Sequence, residues 1–219
     1  QVFPYLDAIL NTILLKDVVG RHNIRDVNNV ERLLFFIFDN IGNLSSARNI
    51  AAFFHNQKLS ITPDTVIAYL GYLQQAFLIH RVDRYLIKGK KHLKYIHKYY
   101  NGDIGLRRAL FGFKDDDIGG LLENCVFLEL LRRGYSVRTG VLNESEIDFV
   151  AQREGERIYL QIAYLLPDEK TVKREFDPLE QISDNYPKFV LSLDEYFPSE
   201  RKGIKHVTIR EFLLGEPLE

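Results

Sequence analysis

The chain has no methionine, no tryptophan and a single cysteine in 219 residues. One cysteine excludes an internal disulfide framework and fits a reducing compartment, so a cytoplasmic location is expected. That cysteine, Cys125, falls inside the apolar helical run from Leu121 to Leu131. No base adjoins it in sequence, so it reads as a buried, inert thiol. The missing methionine, with Gln1 at the start, leads to the expectation that the chain is a piece of a longer protein. Neither charge sign dominates: 29 basic and 30 acidic residues leave a net charge of -1, so no global field draws in nucleic acid. No apolar run approaches the ~20 residues of a membrane span, and no charged-then-apolar leader opens the chain. A membrane partner is therefore not expected. The six histidines (His22, His55, His80, His92, His97 and His206) show no metal-ligand spacing, and no Gly-x-x-x-x-Gly-Lys loop occurs. There is no internal repeat and no low-complexity linker.

With 46% hydrophobic residues, the chain can fill one large core or two small ones. Leu6, Ile9, Leu10, Ile13 and Leu14 make one stripe of a helix over residues 5–17, with Gly20 as its expected stop. Three helices follow, at about 30–40, 46–54 and 62–76. The first buries Leu33, Leu34, Ile37 and Phe38, and the second starts after Ser45-Ser46. The third opens with Thr62-Pro63-Asp64, a capping hydroxyl, a proline at the first helical position and an acid in the first turn. Strand-like segments at 77–87 and 92–100 are joined by Lys88-Gly89-Lys90-Lys91. Three helices and then a β-hairpin is the order of a winged helix, with the hairpin as wing.

The remaining residues change character. A helix at 119–133 precedes strands at about 135–142, 146–153 and 157–166, the last two turning at Gly155. A helix at 169–183, strands at 188–193 and 206–209 and a helical turn at 211–214 complete the order. This is an α/β core with a mixed sheet, so the expected fold is a two-domain α+β chain. The expected domains are a helical lead-in at 1–28, a winged helix at 29–100 and an α/β domain at 101–217.

Asp148 on one strand, Gln161 on its hairpin partner and Glu123 on the preceding helix form the frame of a metal-dependent nuclease. Phosphodiester hydrolysis of this kind uses divalent metals held by carboxylates, with a lysine to position or activate water. The third strand should carry a carboxylate, a spacer and a lysine, and here reads Gln161-Ile162-Ala163. Gln161 offers a neutral carbonyl, and Ala163 cannot replace a lysine. Glu123 and Asp148 are thus catalytic positions of a degenerate site, holding Mg²⁺ weakly if at all.

A second constellation is basic. Residues 80–98 hold Arg81, Arg84, Lys88, Lys90, Lys91, Lys94 and Lys98 against the single acid Asp83, interleaved with Tyr85, Tyr95, Tyr99 and Tyr100. Such a wing contacts phosphates, which position a protein without reading sequence. Arg81, Arg84, Lys88, Lys90, Lys91 and Lys94 are the candidate nucleic-acid contacts. The alternative is a solvated hairpin whose lysines blunt edge-to-edge aggregation. Positions Asp64, Thr65, Ala68 and Tyr72 on the third helix carry no arginine or lysine, which argues against base readout there.

Several phrases together resemble the C-terminal half of a prokaryotic family that joins an AAA-like P-loop ATPase to a winged helix and a DUF4143 domain. They are Thr12-Ile-Leu-Leu-Lys-Asp-Val18, Asp39-Asn-Ile-Gly-Asn-Leu-Ser45, Lys98-Tyr-Tyr-Asn-Gly-Asp103, Gly105-Leu106, Leu122-Glu-Asn124, Leu131-Arg-Arg-Gly-Tyr135, Glu146-Ile-Asp-Phe149 and Asn185-Tyr-Pro-Lys188. The resemblance implies a restriction-endonuclease-like C-terminal domain whose acid positions match Glu123 and Asp148. Many relatives have Glu-x-Lys where this chain has Gln161-Ile162-Ala163. It also implies an ATPase parent, with ATP and Mg²⁺ bound only by an upstream part. Within these residues no cofactor beyond weak Mg²⁺ is expected.

The leading expectation is a non-catalytic nucleic-acid-binding or regulatory module whose partner is DNA. One rival is a Mg²⁺- or Mn²⁺-dependent nuclease in which Lys173 or Arg174 stands in for the missing lysine. The other is a protein-interaction or homo-oligomerisation module using the helix at 5–17 and a sheet edge.

Overall fold

The computed structural model describes residues 2–112 and 118–218, with all side chains in them except those of residues 92–94. Among the described residues are eight α-helices and eight strands, the strands forming one mixed sheet. The chain divides into two compact units, residues 1–81 with 95–115, and residues 82–94 with 116–219.

The first unit is helical: α1 (Val2–Thr12), a π-helical segment (Ile13–Gly20), α2 (Val27–Asp39), α3 (Ala47–Asn56), α4 (Pro63–Gln75) and α5 (Ile104–Phe111). Local chemistry sets the helix starts. The side chains of Asp26, Ser46, Thr62 and Asp103 accept hydrogen bonds from the backbone N–H groups of Asn29, Asn49, Thr65 and Gly105. Leu10, Leu14, Leu34, Ile37, Phe38, Phe54, Leu70 and Leu73 share one core. Each such burial contributes about 1.5–3 kcal/mol relative to exposure. Gly20 does not stop the first helix. Helical geometry persists through Arg21, and the chain turns at Asn23, where φ is 51°.

The strands are β1 (Ile79–Leu86), β2 (Lys91–Asn101), β3 (Ser136–Leu142), β4 (Ser145–Arg153), β5 (Glu156–Ile162), β6 (Lys188–Ser192), β7 (Glu200–Arg201) and β8 (Ile204–Thr208), in the order β2-β1-β3-β4-β5-β6-β8-β7. The expected mixed α/β class stands. The β1–β2 hairpin contributes to this sheet, since β1 pairs in parallel with β3 through Arg84–Thr139, Tyr85–Gly140 and Leu86–Val141. Parallel pairing is non-local, and the hairpin's own residues carry no signal for it.

In the second unit α6 (Ile118–Arg132) lays Phe127 on Phe149 of β4, ring centroids 6.1 Å apart. Helix α7 (Glu169–Glu180) buries Val172, Phe176 and Leu179 in a cluster with Val150, Tyr159 and Val190. Phe149 and Val150 are successive strand residues and point to opposite faces, so α6 and α7 cover the two sides of β4. That explains why Ile147 to Ala151 are all buried rather than alternating. Helix α8 (Ile209–Leu213) is tied to α6 by Arg133, which donates to the Phe212 and Glu216 carbonyls and lies over the Phe212 ring at 4.2 Å.

Candidate functional site

The acid frame is built on an irregularity between β3 and β4. Arg138 pairs with Val150, but Gly140 pairs with Ile147. Strand β3 thus advances by two residues while β4 advances by three, and Asp148 and Phe149 together oppose Thr139. This is a β-bulge, a device that re-aims side chains. Gly140 makes room for it: a Cβ there would sit 2.9 Å from both Ile147 Cβ and Val150 Cγ2. A glycine inside an apolar strand pattern is the sequence signal for this feature. Thr139 is fully buried, and its Oγ1 has no hydrogen-bond partner among the described residues.

Asp148 and Gln161 lie one step beyond the Phe149–Leu160 pair of the β4–β5 ladder. There the two strands are joined by side chains. The Ile162 N–H donates to Asp148 Oδ2 at 2.8 Å, and the Asp148 N–H donates to Gln161 Oε1 at 3.3 Å. Asp148 is buried and Gln161 half-buried. One oxygen of each side chain therefore already accepts from a backbone donor. The expected lysine place, Ala163, is a methyl in the apolar cluster with Val172 and Phe176. Lys173 and Arg174 are exposed on α7, and Arg174 is paired with buried Glu175 at 2.7 Å.

Glu123 is half-buried on α6, one turn before Phe127. Among the described residues no group of three or more His, Cys, Asp or Glu side chains is arranged to hold a metal ion. Cys125 is half-buried, and burial pushes its thiol pKa up, away from the reactive thiolate.

The basic segment is sorted by burial. Lys98 is buried, 3% exposed, and so leaves the cationic surface. Arg84 is half-buried and Arg81 exposed. The side chain of Lys94 lies outside the described residues. Lys88, Lys90 and Lys91 surround the turn formed by the 3₁₀ segment Ile87–Gly89 and by Lys90 at φ 51°, and all three are exposed. Their side chains make no ion pair or hydrogen bond among the described residues. Tyr95, 84% exposed, follows on β2.

Helix α4 offers little for base readout. Tyr72 stacks on His22 at 3.7 Å, and Gln74 Nε2 donates to the Leu70 carbonyl at 2.9 Å. No helix among the described residues is long and apolar enough to cross a membrane.

Residues 1–117 match the model of a family described as a domain of unknown function, DUF8612. An uncharacterized protein of Haemophilus influenzae is 36% identical over 209 residues, which are 95% of this chain and 52% of that protein. The uncharacterized protein MJ1544 of Methanocaldococcus jannaschii is 29% identical over 180 residues, 80% of this chain and 40% of that protein. The chain thus spans about half the length, or less, of these relatives. The crystal structure of protein VC1899 from Vibrio cholerae aligns over 96% of this chain and 54% of that chain, with a TM-score of 0.29 and 11% identity, a likeness too slight to carry an argument. The family match corrects the resemblance drawn from the sequence phrases. The matching family is DUF8612, not the DUF4143 and AAA-like ATPase family, and the ATPase parent with its ATP and Mg²⁺ falls with that resemblance.

Proposed function

The chain belongs to the DUF8612 family, and from that premise we propose that it is a nucleic-acid-binding or regulatory module whose second unit keeps a nuclease-like frame without its chemistry. The observation that carries the reading is the exposed trio Lys88, Lys90 and Lys91 at the tip of the β1–β2 hairpin. Three unpaired ammonium groups at one turn suit phosphate oxygens, whose condensed counterions are released on contact. DNA is the proposed partner. On this reading α2 to α4 with the hairpin form a winged-helix-type element, and contact is to the backbone rather than to base edges. Support for the nuclease-like ancestry is the order α6-β3-β4-β5-α7-β6, with an acid on the second of its three consecutive strands. Loss of chemistry is supported by neutral Gln161 and by Ala163 in the apolar layer. The lone, shielded Cys125 supports a reducing, cytoplasmic setting. The test is binding of a labelled duplex across a salt series. No binding at low salt sinks the proposal.

A second reading, a Mg²⁺- or Mn²⁺-dependent nuclease with a rearranged site, draws on the bulge that sets Asp148 apart from the regular ladder. Metal-dependent cleavage that disappears in Asp148→Ala supports it, and cleavage that survives that change removes Asp148 from the site.

A further inference from the structure

Helix α4 ends in a turn that places an unusual residue at its pivot. The Leu78 N–H donates to the Leu73 carbonyl at 3.1 Å, and the Phe77 N–H donates to the Gln74 carbonyl at 3.0 Å. These are the two bonds of a Schellman cap, whose pivot takes the left-handed conformation and is usually glycine, sometimes asparagine. Here the pivot is Phe77, at φ 57°. Gly102 fixes it from the other side: a Cβ there would sit 1.9 Å from the Phe77 carbonyl oxygen, and the Gly102 N–H donates to the Leu78 carbonyl at 3.0 Å. The turn thus needs the backbone conformation and makes little use of the ring, which leaves Phe77 76% exposed. The other non-glycine residues with positive φ among the described residues are Asn23, Lys58, Lys90, Asn143, Glu154 and Lys202, all polar. A bulky apolar side chain held at positive φ and left in water carries two penalties that glycine would avoid. An outlier of this kind points to a contact that the ring makes outside its own fold.

The same unit carries a place for such a ring. An open cleft of about 560 Å³ is lined by residues of α2, of α3 and the turn after it, and of α5. Its walls are aromatic. Phe36 and Phe53 tilt together with centroids 4.8 Å apart, and Phe35 meets Phe111 edge to face at 6.2 Å. Phe35 and Phe53 are 41% and 44% exposed, so the cleft shows ring surface to solvent. Rings in such arrangements accept a further ring by the same edge and face contacts. Phe77 is not among the residues that line the cleft. The charges beside the two features are complementary. Asp39, the acid of the cleft, has an interaction of its own, whereas the side chain of Arg32 makes no ion pair or hydrogen bond among the described residues. Next to Phe77 lies the C-terminal end of α4, where a cation is favoured. Asp103, which follows Gly102 and caps α5 through Oδ1, adds an exposed carboxylate there.

We propose that the occupant of the cleft is a second copy of this chain, with Phe77 of one copy seated among the phenylalanines of the other and Arg32 facing Asp103 and the end of α4. An exposed apolar side chain and a complementary pocket elsewhere on the same molecule make a head-to-tail contact. An open cleft suits this occupant, because a ring presented by a helix end arrives with its backbone and needs a wide mouth. Burial of the ring supplies the affinity, and the charge pairing at the rim sets the orientation. The contact uses neither the hairpin lysines nor Asp148, so it goes beyond the nucleic-acid reading and is tested apart from it.

The test is sedimentation velocity of the chain over a concentration series. The expected result is self-association that weakens by roughly tenfold or more in Phe77→Gly and in Phe53→Ser. Phe77→Gly should at the same time raise the melting temperature by about 2–4 °C, because it relaxes the left-handed pivot and removes little internal packing. Mixed in equal amounts, the two variants should pair with each other at the parent's affinity, since one copy keeps the cleft and the other keeps the ring. Such pairing also shows that both variants are folded. Phe35→Ser, at the other exposed ring, takes the place of Phe53→Ser in the mixture if that variant melts early. Arg32→Glu, at an exposed position, should weaken self-association by roughly threefold or more. A parent chain that stays monomeric at its highest soluble concentration overturns the proposal. So does association indifferent to Phe77→Gly, a lower melting temperature in that variant, or a mixture no more associated than its two components.

Discussion

Asp148 and Gln161 brace each other's strands. Asp148 Oδ2 accepts from the backbone of β5 at Ile162, and Gln161 Oε1 accepts from the backbone of β4 at Asp148. The acid that a nuclease would give to a metal is here part of the sheet's own hydrogen bonding. Asp148→Ala leaves the buried Ile162 N–H without its acceptor and should cost about 1–3 kcal/mol, the penalty of an unmade buried bond. Gln161→Ala removes the longer bond and should cost about 0.5–1.5 kcal/mol. Denaturant titration of the two single variants and the double variant checks both numbers and their coupling. An Asp148→Ala protein as stable as the parent would mean that the carboxylate has no bracing role.

Restoring the missing lysine should harm the fold rather than revive a site. Ala163 is 5% exposed among Val172, Phe176 and Leu179. An ammonium placed in this apolar layer loses its hydration, and Ala163→Lys should cost roughly 2–4 kcal/mol. A shift in the denaturation midpoint measures this. A stable Ala163→Lys, Gln161→Glu variant that cuts DNA with Mg²⁺ would show that the frame still accommodates the chemistry.

The bulge depends on Gly140. With Ile147 and Val150 both 2.9 Å from an added Cβ, Gly140→Ala must push β4 away from β3. Overpacking of this kind should cost about 1–3 kcal/mol, read from the midpoint of unfolding. A neutral Gly140→Ala would indicate that β4 yields freely at the bulge.

His206 sets an acid limit to stability. Its ring is buried, its Nε2 lies 2.8 Å from Ser192 Oγ, and burial lowers its pKa below the ordinary 6.5, against weaker opposing pulls from Asp194 and Glu211. The unfolded chain then binds the proton more readily than the folded one. Stability should be fully present above about pH 6.5 and decline as pH falls from there toward the depressed folded value. His80, whose pKa is also lowered by burial, acts in the same direction. Thermal melts from pH 8 to 5 should show this decline, smaller in His206→Gln. A pH slope identical in that variant would remove His206 from the account.

The helical unit was legible because its signals are local. Thr62-Pro63 announces the start of α4, Ser46 that of α3, and Leu33, Leu34, Ile37 and Phe38 mark the buried side of α2. Helix α5 carries the same kind of signal in Asp103, yet Arg107 and Arg108 interrupt its apolar pattern and hide it. Arg107 is in fact almost fully buried, its Nε donating to the Phe38 carbonyl at 2.7 Å. The β4–β5 hairpin was legible from its turn at Gly155, and it set Asp148 against Gln161. What pairs β1 with β3, and what draws Lys98 inside, are interactions between distant segments, which neither periodicity nor charge counting registers.

The hairpin lysines should act as counterion-releasing groups. Replacing Lys88, Lys90 and Lys91 together with alanine should lower duplex affinity and reduce the slope of log affinity against log salt by about 2–3, since each phosphate that a lysine neutralises adds about 0.9 to that slope. An unchanged slope would place the nucleic-acid interface elsewhere on the chain.

The most direct test of the central claim is a salt titration of labelled duplex binding, run with and without Mg²⁺ and followed by a denaturing gel. The account predicts intact DNA bound with an affinity that falls steeply as salt rises, whether or not Mg²⁺ is present. Absence of binding at low salt, or Mg²⁺-dependent cleavage that vanishes in Asp148→Ala, would contradict it.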